Sequence, residues 1–87
     1  MTYRVELVAS AERELRALDR TVQQRVARAI DELAAEPRPA GLQSIRGGKD
    51  LYRIRVGAWR IVYRIEDAVL VVLVVRIGHR REVYRRR

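Results

Sequence analysis

Leu51-Tyr52-Arg53-Ile54-Arg55-Val56-Gly57-Ala58-Trp59-Arg60-Ile61-Val62-Tyr63-Arg64-Ile65 alternates apolar and charged residues on both sides of a Gly-Ala pair. Period-two alternation marks a strand, and a two-residue loop with glycine at its first position is a hairpin turn. With Gly57-Ala58 as the turn, Val56 faces Trp59, Arg55 faces Arg60, Ile54 faces Ile61 and Arg53 faces Val62. Tyr52, Ile54, Val56, Trp59, Ile61 and Tyr63 then share the core side, while Arg53, Arg55 and Arg60 share the other. Directly opposite residues lie only about 4.5–5.5 Å apart at Cβ, and like charges placed there destabilise the pair. Folding does not ask for this arrangement, so the pattern predicts an anionic partner. The guanidinium fork matches phosphate oxygens, and RNA phosphate is the anion expected here.

Upstream, Tyr3 to Val8 alternates as a first strand with Tyr3, Val5 and Leu7 inward. Ser10 stands where the N-cap of a helix is expected, and Ala11, Leu15 and Leu18 form that helix's apolar stripe, with Glu12 and Arg16 paired outside. Asp19-Arg20-Thr21 is a break offering a second cap. Val22, Val26, Ala29, Ile30 and Leu33 then follow the helical period until Pro37 ends the helix near Glu36. Pro37 to Asp50 holds both prolines and three of the five glycines, and reads as a connector. Its Gly47-Gly48-Lys49 lacks the spacing and the following Ser/Thr of a phosphate-binding P-loop.

Downstream, Val69 to Ile77 is almost wholly β-branched and apolar, as suits a central strand buried on both faces. Glu66-Asp67-Ala68 admits a two- or three-residue loop, so Arg76 faces the arginines in one register and the opposite side in the other. The polar stretch from His79 to Arg87 leaves a short C-terminal helix or tail. The expected fold is α+β, in the order β-α-α-β-β-β: an antiparallel sheet with an N-terminal αα-hairpin on one face and the other face open. Residues 1–87 make a single domain of modest core.

Charge sharpens the reading. The net charge is +8, of which residues 1–50 carry +1 and residues 51–87 carry +7. A basic surplus confined to one half is the pattern of a polyanion-binding face. With no cysteine and one histidine, neither a disulfide framework nor a zinc site is expected, and no carboxylate cluster suggests a two-metal nuclease. The longest apolar run, Ala68 to Val75, is too short to span a bilayer, and no signal-peptide pattern opens the chain, so a cytoplasmic protein without membrane contact is expected. Around the three arginines, Lys49, Arg76, Arg81 and Arg85 are further candidate RNA contacts. Tyr84 reads equally as a packing residue and as a platform for stacking on an unpaired base. His79 is the one side chain whose type exchanges protons readily near neutral pH. If the domain is catalytic, metal-independent RNA cleavage is the likeliest reaction, since the substrate's own 2′-OH supplies the nucleophile.

The hairpin, followed by Val74-Val75-Arg76-Ile77-Gly78-His79-Arg80-Arg81-Glu82-Val83-Tyr84, resembles the RelE branch of the RelE/ParE toxin superfamily. The connector with Leu42 and Ile45-Arg46-Gly47 fits as well, so the resemblance covers nearly the whole chain. It implies the toxin of a type II toxin–antitoxin pair, which cuts messenger RNA on the ribosome and is silenced by a cognate antitoxin. No cofactor is implied. On this resemblance Arg53 and Arg55 match the two basic positions of the first hairpin strand, and Arg60 matches the arginine that stabilises the phosphate. Arg80 matches the basic residue after the last strand, and Tyr84 matches the stacking tyrosine. The chain departs from the family pattern where Arg55 replaces a lysine, because arginine is too weak an acid to donate a proton. Either His79 or Tyr84 then takes that role, or the intrinsic cleavage rate is low. It departs again in having two fewer residues between Arg80 and Tyr84. A ParE-like inhibitor of DNA gyrase and a catalytically weak basic RNA- or ribosome-binding module are the alternatives.

Overall fold

The hairpin forms with the expected register. In a computed structural model describing residues 2–79, β3 (Leu51–Val56) pairs antiparallel with β4 (Trp59–Glu66), Val56 opposite Trp59 and Arg55 opposite Arg60. Gly57 takes a φ of +62°, the left-handed conformation that glycine enters without a Cβ penalty. Around this hairpin the chain runs β1 (Arg4–Leu7), α1 (Ala9–Arg16), α2 (Arg20–Glu32) and β2 (Gln43–Ser44), then β3 and β4, a 3₁₀ turn (Asp67–Val69) and β5 (Val71–His79). The strands lie in the order β1-β5-β4-β3-β2.

The α+β class stands, with one difference in the sheet. It is mixed, because β1 runs parallel to β5, Arg4 opposite Val71 and Leu7 opposite Val74. The two helices carry the chain from β1 to β2 at the far edge, and the sheet then fills back through β3 and β4 until β5 arrives beside β1 in the same direction. The two-residue β2, with Gln43 opposite Arg53 and Ser44 opposite Tyr52, lies inside the stretch expected to be pure connector. Two residues are too few for an alternation to show.

Element ends moved for local reasons. Val8, and not Ser10, occupies the N-cap of α1; Ser10 lies in the first turn, and no side chain caps the helix. Pairing with β5 sets this boundary: Val8 N–H donates to Val74 O at 3.0 Å, and the chain turns at once into the helix. Asp19 does cap α2, accepting from Val22 N–H at 3.1 Å. Helix α2 ends at Glu32 rather than near Glu36, its last residues tightening into i to i+3 bonds such as Ala34 N–H to Asp31 O. Val69 is exposed in the 3₁₀ turn instead of opening β5, and Leu70 at φ +55° reverses the chain.

Ala11, Val26, Ile30 and Leu33 pack against Ile54, Ile61, Tyr63, Ile65, Val72, Val74 and Ile77 to form the core between helices and sheet. The long connector is tied to this core at one end. The buried Tyr63 hydroxyl donates to Pro37 O at 2.8 Å, and burial pushes its phenol above the ordinary range. Arg38 grips Asp67 with both terminal nitrogens, at 3.2 and 2.8 Å, and lies 5.9 Å above the Tyr52 ring. The Tyr3 hydroxyl donates to the same carboxylate at 2.5 Å. These hydrogen bonds, from Arg38 first and Tyr3 second, hold the Asp67 carboxyl down at about 2.

Candidate functional site

Cross-strand pairing places Arg53, Arg55, Arg60 and Val62 on the sheet face away from the helices, as the alternation requires. Arg64 follows in the same alternation, opposite Leu51, and extends the set; the sequence signal for it is its place two residues beyond Val62 and four beyond Arg60. The Arg64 guanidinium donates to Lys49 O at 3.1 Å, which brings Lys49 to the same end of β4.

The face is not uniformly open, as had been expected. Arg55 is exposed and Arg53 is half-buried, its guanidinium donating to the Gln43 side chain on β2. Arg60 is only 4 % exposed and Val62 only 6 %. Both belong to β4, the middle strand, where side chains of β3 and β5 stand on either side. Arg60 lies between Arg55 on β3 and Gly78 on β5, so its long side chain has a bare backbone on one flank. A guanidinium confined this way gives up much of its rotational freedom, which suits it to fix one anion.

The register left open by the loop is now decided: four residues, Asp67 to Leu70, separate the strands rather than two or three, and a β-bulge then shifts the pairing. Tyr63 pairs with Val74 but Val62 pairs with Arg76, which leaves Val75 as an extra residue on β5. A strand has a period of two, so one inserted residue carries everything beyond it to the opposite side. Val72 and Val74 point into the core before the bulge, Ile77 does so after it, and Arg76 falls on the arginine side. Its side chain nonetheless reaches back to the helices, where its Nε donates to Glu14 of α1 at 3.1 Å.

His79 stands elsewhere. It pairs with Trp59 and packs edge-on against the indole, ring centroids 5.5 Å apart and planes at 83°. Trp59 packs on the helix side of the sheet, so His79 lies across the sheet from Arg53, Arg55 and Arg60. The structure does not bring it together with them. Arg80, Arg81, Tyr84 and Arg85 lie outside the described residues. Among the described residues no three His, Cys, Asp or Glu side chains gather where they could hold a metal ion.

Known proteins of this build share both the pattern and the fold. The family model for the ParE toxin of type II toxin–antitoxin systems matches residues 5–84. Toxin RelG of Mycobacterium tuberculosis is 32% identical over 87 residues, covering 99% of this chain and 100% of RelG. The chain belongs to the RelE/ParE toxin superfamily.

Relatives named RelE share its length and its fold. The mRNA interferase toxin RelE of Escherichia coli K12 is 32% identical over 88 residues, covering 97% of this chain and 92% of that protein. An archaeal RelE–RelB complex from Pyrococcus horikoshii superimposes with a TM-score of 0.81 at 28% identity, covering 92% of this chain and 97% of its counterpart. This RelE-family toxin thus has the fold of relatives solved together with RelB.

Proposed function

We propose that the protein is a ribosome-dependent, metal-independent mRNA endoribonuclease that acts in the cytoplasm and is silenced by a cognate antitoxin. The observation that carries this reading is the Arg55–Arg60 pair, set directly opposite on one sheet face with Arg53 beside it. The chemistry those residues can support is charge stabilisation. The substrate's 2′-oxygen attacks the adjacent phosphorus, its proton is taken up, and the 5′-oxygen leaves and is protonated. The products are a 2′,3′-cyclic phosphate and a 5′-hydroxyl. Negative charge builds on the non-bridging oxygens along this path, and donors fixed in advance stabilise it more than they stabilise the starting ester. Arg60, confined in the middle strand, is assigned that task, with the more exposed Arg53 and Arg55 drawing in the backbone. Arg80 and Tyr84 are assigned, on the family resemblance, to the phosphate and the base. With His79 across the sheet, Tyr84 is the remaining candidate for the leaving-group proton. The antitoxin role is supported by the relative solved with RelB, and an acidic segment laid over the arginine face is the mode that charge favours.

Primer extension on a translated message tests the reading. Wild-type protein is expected to cut within the message on ribosomes, Arg60→Ala to abolish cutting, and the exposed-site variant Arg55→Ala to reduce it while retaining the wild-type circular dichroism spectrum. Full growth arrest by folded Arg60→Ala would refute the assignment. The ParE description of the matching family model keeps a gyrase poison as the second reading. That activity would leave transcripts whole and break DNA.

A further inference from the structure

Strand β5 outruns its outer neighbour. β1 ends at Leu7, opposite Val74, and the last bond between them runs from Val8 N–H to Val74 O. Beyond that point β5 continues to His79, with β4 on one edge and no described strand on the other. An edge N–H there is a donor in need of a partner. Helix α1 supplies one by side chain: Glu14 Oε1 accepts from Ile77 N–H at 2.7 Å while Oε2 accepts from Arg76 Nε at 3.1 Å. One carboxylate thus closes the exposed edge just past the bulge. It does so in the stretch where Ile77 pairs with Ile61 and Gly78 with Arg60.

We propose that Glu14 is a positioning residue for the phosphate site. By tying the outer edge of β5 to α1 at Ile77 it fixes the end of the strand, and with it Gly78, the flank of Arg60. This rests on the nuclease reading for its catalytic consequence, and on the Glu14–Ile77 bond alone for the anchoring. The ion pair with Arg76 is secondary, since a side chain 41% exposed on the arginine side and 32% on the glutamate side is well screened by water. The backbone bond has no such competitor from its own strand.

Two substitutions separate the functions of the carboxylate. Glu14→Gln keeps an oxygen for Ile77 N–H and loses the charge; Glu14→Ala loses both. Cleavage of ribosome-bound message by Glu14→Ala should fall in kcat by roughly ten- to a hundred-fold, the scale on which an ångström of misplacement acts, with KM little changed. Glu14→Gln should retain kcat within a few-fold. Hydrogen exchange should show the Ile77 amide protected in wild type and in Glu14→Gln, and unprotected in Glu14→Ala. Equal loss of kcat in both variants would overturn the proposal in favour of the ion pair, and wild-type kcat in Glu14→Ala would overturn it outright. If wild-type protein cuts no message, the nuclease reading fails and the catalytic role falls with it. An Ile77 amide unprotected in wild type would overturn the anchoring itself, whatever the activity.

Discussion

Arg55 and Arg60 oppose each other across the hairpin and differ sharply in surroundings, one exposed and one 4 % exposed. Two guanidinium groups at that spacing work against folding, so a substitution at the exposed member should move stability and activity in opposite directions. Arg55→Ala is expected to stabilise the free protein by about 0.2–1 kcal/mol, the range for relieving an unfavourable cross-strand pair, read as a higher urea midpoint. The same change should slow cleavage, as expected where a site is kept at the cost of stability. A lower midpoint would mean that Arg55 serves the fold. Tyr63 is the converse case. Its hydroxyl is buried on the Pro37 carbonyl and faces no substrate, so Tyr63→Phe should cost about 1–3 kcal/mol by orphaning that carbonyl and leave the cleavage of folded protein unchanged. An unaltered midpoint would show that water replaces the phenol.

At the scale of elements, one carboxylate adds a pH-sensitive clamp to the connector between α2 and β3. Asp67 is held at about 2 from an ordinary 3.8, so its bonds to Arg38 and Tyr3 stabilise the fold fully above about pH 4 and are lost as pH falls through 2. Wild type should therefore lose stability across that interval by more than Asp67→Asn does, measured as urea midpoints at successive pH values. Parallel curves would remove Asp67 from the account. None of this clamp was legible in the sequence, because Tyr3, Arg38 and Asp67 come from three separate stretches and no local pattern links them. The hairpin was fully legible, register included, because alternation and turn agree and each alone fixes which residues face the core. The bulge was not. Val71 to Val75 is apolar at every position, so a strand with one residue too many reads like one without, and the side taken by Arg76 stayed open until pairing settled it. Ser10 misled for a related reason: a good capping residue lay two positions past the place where sheet pairing had already turned the chain.

For the molecule as a whole, the question is whether the +8 charge acts as a diffuse field or through one face. The surface offers both. Arg13 and Arg28 are exposed on the helices, while Arg53 and Arg55 lie on the sheet face opposite them. A diffuse field would be weakened equally by loss of any of these. A site would not, because only cations in contact with phosphate release counterions on binding. For single-stranded RNA the logarithm of affinity should fall linearly with the logarithm of salt concentration, and each contacting cation contributes about 0.7 to the slope. Replacing Arg53 or Arg55 with alanine should flatten the slope by about that amount, whereas replacing Arg13 or Arg28 should shift affinity slightly and leave the slope intact. Fluorescence anisotropy with a labelled oligonucleotide, titrated at several salt concentrations, reads both quantities. Equal flattening from helix and sheet variants would show that the RNA does not choose the arginine face. The hairpin's opposed arginines would then have no ligand to account for them.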